Sequence, residues 1–68
     1  MEQEITITTR DRILRGWQNA TELVRDLETY SKEIKDNTEA AALFKQFAEE
    51  EGHHAAQLRQ LLLQHCDS

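Results

Sequence analysis

Small and apolar residues recur through the first half of the chain at Ile13, Trp17, Ala20, Val24, Leu27, Ser31 and Ile34, in alternating steps of four and three. That spacing is the heptad seam of a helix lying nearly parallel or antiparallel to a neighbour. Thr8 or Thr9 offers a hydroxyl for the N-cap, and Asp11 falls in the first turn, where a carboxylate meets the positive end of the helix dipole. A helix is therefore predicted over residues 9–35. The pattern breaks at Asp36-Asn37-Thr38-Glu39, where Asp36 and Glu39 have capping-box spacing and Asn37 or Thr38 would serve as an alternative N-cap. A second helix is predicted over residues 38–65. On it, Ala40, Leu43, Phe44, Phe47, Leu58, Leu61 and Leu62 fall within an arc of roughly 100°.

So short a connection makes the two helices antiparallel neighbours. The predicted fold class is all-α: an antiparallel helical hairpin over residues 9–66, preceded by a flexible N-terminal arm at residues 1–8 in which Ile5 and Ile7 alternate weakly. Two amphipathic helices cannot cover each other's full stripes. Leu23 and Tyr30 lie on one flank of the first seam, Leu14 on the other, and Leu63 off the main face of the second helix. A second copy would cover what remains, so the expectation is a homodimer forming a four-helix bundle, or a larger ring of such dimers.

Composition supports this reading. The chain has 68 residues, no Pro and two Gly, which favours long uninterrupted helices and limits the protein to one small domain. The net charge is -5, with Arg10, Arg12, Arg15, Arg25, Lys32, Lys35, Lys45 and Arg59 scattered rather than clustered, so no nucleic-acid partner is expected. No apolar run reaches the roughly 18 residues of a membrane span, and no membrane partner is expected. The lone Cys66 cannot form an internal disulfide, which together with the lack of a signal peptide points to a reducing, cytoplasmic location.

Candidate chemistry sits in Phe47-Ala48-Glu49-Glu50-Glu51-Gly52-His53-His54-Ala55. Nine Glu and three His in 68 positions give about 0.4 Glu-x-x-His spacings by chance, so placement carries the argument. Glu51 and His54 fall inside the apolar arc, whereas Glu50 lies at its edge and His53 well outside. Both Glu51 and His54 are thus expected to point at the core. An ionised carboxylate there is costly unless it is paired or coordinates a metal. Two readings follow: a metal half-site, or a buried pair bonded to each other or to partner side chains. One hairpin carries one such pair, and two related by a dyad carry two.

Leu43-Phe44-Lys45-Gln46-Phe47-Ala48-Glu49-Glu50-Glu51-Gly52-His53-His54-Ala55 resembles the second helix of rubrerythrin-type hairpins, with an aliphatic-Phe pair followed by Glu-x-x-His-Ala. Thr21-Glu22-Leu23-Val24-Arg25-Asp26-Leu27-Glu28-Thr29-Tyr30 is similar to the first helix of encapsulated ferritins, in which an acidic stretch leads to a Tyr near the metal. The resemblance to the ferritin-like superfamily covers roughly residues 10–63. It implies a ferritin-like bundle assembled from two-helix chains, iron held at an intersubunit site by Glu51, His54 and a helix 1 carboxylate, and oxidation of Fe(II) by dioxygen or peroxide. Manganese and zinc suit the same ligand types.

Aligned on Tyr30, the family's helix 1 metal Glu falls on Leu23, and a shift of one residue puts Glu22 there. Glu22 is level with Glu51 in a hairpin folded about Asn37, but points roughly away from the seam; Glu28 lies nearer the seam and about five residues too far along. Glu22, Glu28 or no helix 1 ligand all remain open. An encapsulin-type shell would be a further partner implied by the family, but His65-Cys66-Asp67-Ser68 has no counterpart of the cargo-loading tail. The rival readings are a non-catalytic oligomerisation or adaptor hairpin and a structural Zn-bridged dimer.

Overall fold

The computed structural model describes residues 8–65, and among them it consists of two helices, α1 (Thr9–Glu33) and α2 (Thr38–Gln64), packed as an antiparallel hairpin. The expected N-terminal arm, apart from Thr8, and Cys66 lie outside the described residues.

Each helix starts where the chemistry of its cap allows. Thr8 is extended, its hydroxyl accepts from the Asp11 N–H at 3.1 Å, and its own N–H donates to the Asp11 carboxylate at 3.2 Å. This reciprocal pair satisfies two of the backbone groups that a helix start leaves open. α1 stops at Glu33, two residues short of the expected end, because Ile34 turns extended while its N–H still closes on the Tyr30 carbonyl. The break is capped on its far side by Asn37, whose Oδ1 accepts from Ala40 N–H at 3.0 Å. Asn37, the alternative, thus serves as N-cap in place of Asp36.

The predicted α1 seam is the observed one: Ile13 and Ala20 are buried, and Trp17, Val24, Leu27, Ser31 and Ile34 are half-buried. On α2 the packed face is rotated from the expected arc. Ala41, Phe44, Ala48, Ala55, Leu58 and Leu62 face α1, whereas Leu43, Phe47 and Leu61 are left 41 %, 43 % and 39 % exposed. The alanines at seven-residue intervals lie against the α1 seam, Ala41 beside Ser31, Ala48 level with residues 24 and 25, and Ala55 level with the stretch from Gly16 to Ala20, and their small side chains let this line take the contact. A methyl group built on Gly16 would stand 3.7 Å from Leu58 Cδ1, ordinary van der Waals contact.

Cross-contacts define the register. Ser31 Oγ donates to the Ala41 carbonyl at 3.0 Å, and the Tyr30 ring meets Phe44 edge-on with centroids 6.4 Å apart. With Gly16 beside Leu58, facing residues have numbers that sum to about 73. Only Ile13, Ala20 and Ala48 among the described residues are buried, and no side chain is completely enclosed. A core this thin leaves a hairpin dependent on something further for stability.

Candidate metal centre

The α2 arc is wider than one neighbour can cover. Half of it lies on α1, and the other half, Leu43, Phe47, His54 and Leu61, forms a stripe on one side of the hairpin. Leu23 and Tyr30 of α1, 44 % and 48 % exposed, border the same side, and the Tyr30–Phe44 contact joins the two flanks. The result is one apolar surface built from both helices.

His54 lies within that surface, and Glu51 beside it at the helix interface. At i and i+3 the two side chains project from adjacent turns, and His54 Nδ1 lies 3.1 Å from Glu51 Oε1. With the proton on Nδ1 the ring donates to the carboxylate. Glu51 keeps 23 % of its side chain exposed and His54 63 %. The expectation that both point into the core is therefore corrected for His54. Within one hairpin, Glu51 borders the helix interface and His54 stands on the outward stripe, because the rotation that brings Ala48 and Ala55 onto α1 swings position 54 out. The competing register is not formed: Glu50 Oε2 accepts from Gln46 Nε2 at 3.2 Å, and His53 is exposed outside the stripe.

The helix 1 carboxylates are elsewhere. Glu22 is exposed on the outer side of α1, where it borders a shallow depression with Trp17, Gln18, Asn19, Thr21 and Arg25. Glu28 lines a cleft on the opposite side of the hairpin with Ser31, Lys32, Lys45, Ala48 and Glu49. Leu23 occupies the α1 position level with residues 50–51. Among the described residues of one chain, no group of three or more His, Cys, Asp or Glu side chains converges. The donors a single hairpin brings together are thus one carboxylate and one imidazole. That set suits Fe(II), Mn(II) or Zn(II), and a second copy is needed to reach four protein ligands.

Tyr30 stands about eleven residues, or some 16 Å, along the hairpin from His54, so within one chain its hydroxyl does not approach the pair. Gly52 makes no close approach either, since a methyl group there would meet nothing within 4 Å. The alanine seam of α2 was the feature that large apolar residues concealed. Ala41, Ala48 and Ala55, with Phe44, Leu58 and Leu62 between and beyond them, carry the heptad signal.

No protein-family model, curated protein or solved structure matches the chain. No helix among the described residues is long and apolar enough to cross a membrane.

Proposed function

We propose that the protein is a ferritin-like metal-binding protein, in which two hairpins associate as a four-helix bundle and the Glu51–His54 pairs of both copies bind Fe(II) at a shared site. The observation that carries this reading is the position of the pair: a carboxylate and an imidazole 3.1 Å apart, the imidazole standing in an apolar stripe that one chain leaves open. Closing that surface would remove His54 from water and lower the local dielectric, conditions under which a carboxylate and an imidazole favour a bound cation. Glu51 and His54 would hold the ion. Bound Fe(II) would supply one electron per ion to dioxygen or peroxide, the activity that the family resemblance implies.

A second reading, a non-catalytic oligomerisation hairpin, is favoured by Leu23. A leucine where the family places a carboxylate adds apolar contact and removes a ligand. An anaerobic Fe(II) titration with mass monitored, followed by admission of air, separates the two. The metal reading requires saturable binding and oxygen-dependent ferric absorbance, both lost in Glu51→Ala and His54→Ala. Assembly and absorbance indifferent to Fe(II) would leave the oligomerisation hairpin. Stabilisation by Zn(II) without turnover would indicate a structural Zn-bridged dimer.

A further inference from the structure

The outward stripe of α2 has the same spacing read in either direction from His54. Phe47 stands seven residues before it and Leu61 seven after, two helical turns or about 10.5 Å each way. Both are large, apolar and about two-fifths exposed, at 43 % and 39 %. A stripe with that symmetry is complementary to itself when a second copy runs antiparallel.

We infer that this face binds a second copy of the chain through an antiparallel α2-to-α2 contact whose two-fold axis passes beside His54, so that Phe47 packs on the partner subunit's Leu61. The inference goes beyond the metal reading, because the contact is apolar and needs no ion.

The polar positions agree with this register. Glu50 falls level with the partner subunit's Gln57 rather than with its own copy, so no carboxylates are forced together. The same axis crosses α1 near Asn19 and Ala20. It brings Leu23 level with the partner subunit's Gly16, on the flank of α1 that carries no charged group at that position. A copy related instead by an axis along the helices would lay α2 on the partner subunit's α1 and set Leu61 against Arg12, an apolar group against a charge.

The area also fits. Leu23, Tyr30, Leu43, Phe47 and Leu61 are 39–48 % exposed, and at about 200 Å² of side-chain surface each they present roughly 430 Å² of apolar area. A standard interface buries about 800 Å² per partner, and in homodimers about 65 % of it is apolar, or roughly 520 Å². One face of this hairpin is close to one half of such an interface.

The test uses the full chain in EDTA, with Cys66→Ser as background. The unaltered chain is expected to be a dimer by light scattering. On oxidation, His54→Cys alone and the double variant Phe47→Cys/Leu61→Cys should both give covalent dimers, while Phe47→Cys alone, Lys45→Cys and Leu63→Cys should not. Circular dichroism checks that each variant keeps its helices, and His54→Cys, at an exposed position, serves where loss of Phe47 unfolds the chain. A monomer in EDTA overturns the inference, as does a dimer that bridges through Leu63→Cys or through Phe47→Cys alone. A dimer that forms only with metal overturns it while leaving the metal reading in place; a dimer in EDTA that, once EDTA is removed, binds no Fe(II) and gives no ferric absorbance in air supports it and removes that reading.

Discussion

The Ser31 hydroxyl donates across the helix pair to the Ala41 carbonyl at 3.0 Å, tying the last turn of α1 to the first turn of α2. It closes the connection at Ile34–Asn37 from the packed side, where the two helices begin to diverge into the turn.

Replacing Ser31 by Ala removes this bond, at a cost of about 1 kcal/mol, and gains up to about 0.5 kcal/mol of helix propensity. The net expectation is a loss of roughly 0.5 kcal/mol. Thr29→Ala, at an exposed α1 position, should gain the propensity alone. Urea denaturation of both variants checks the difference, and equal stabilities would mean that the Ser31 bond contributes nothing in solution.

Gly52→Ala should stabilise the hairpin by about 1 kcal/mol, since a mid-helix glycine is replaced at a place where the added methyl meets nothing within 4 Å. Gly16→Ala should gain within the isolated hairpin as well, its methyl making ordinary contact with Leu58. In the dimer inferred above, neither Gly16→Ala, whose methyl turns toward Leu58 of its own chain, nor Gly52→Ala should weaken association. Thermal melts followed across protein concentration distinguish the effects.

Ala48 is the most deeply buried of the described residues, at 2 % exposure. Ala48→Leu inserts three carbons into the packed face between the helices and is expected to cost about 1–3 kcal/mol by overpacking. The same substitution at Ala56, which is exposed, should be close to neutral. Paired denaturation curves check the contrast.

The Asp11 carboxyl is held below its ordinary range, first by its backbone hydrogen bond from Thr8 and then by the Thr8 side chain, with Arg10 and Arg12 adding attraction. A carboxyl depressed in the folded state stabilises that state at pH values above its unfolded pKa, and the contribution is lost as pH falls through the folded pKa. Acidification below the usual aspartate range should therefore fray the start of α1 before the rest of the hairpin. Amide exchange at residues 9–12 measures this, and Asp11→Asn should remove the acid step.

Leu23→Glu would place a carboxylate at the α1 position level with Glu51. Fe(II), Mn(II) or Zn(II) should then bind more tightly than to the natural chain, while association in EDTA weakens as an apolar contact becomes a charge. Calorimetric titration and light scattering on the same samples read both changes. Tighter metal binding without weaker association would argue that Leu23 is not in the interface.

Much of this protein is written in local chemistry. The α1 seam from Ile13 to Ile34, the Thr8 and Asp11 cap, the break before Thr38 and the single turn joining Glu51 to His54 all follow from helical periodicity and from hydrogen-bonding groups a few residues apart. Periodicity gives the direction of an apolar arc about its own axis, but not how that helix turns against its neighbour. The turn was decided by side-chain size across the interface. Ala41, Ala48 and Ala55 are small enough to lie against the α1 seam, with only Ala55 level with the Gly16–Ala20 stretch, so the alanine line packed inward and Leu43, Phe47, His54 and Leu61 were carried outward. That rotation moved His54 from the expected core to an open apolar face, because dense packing between helices depends on how near two backbones can come as well as on how hydrophobic each position is.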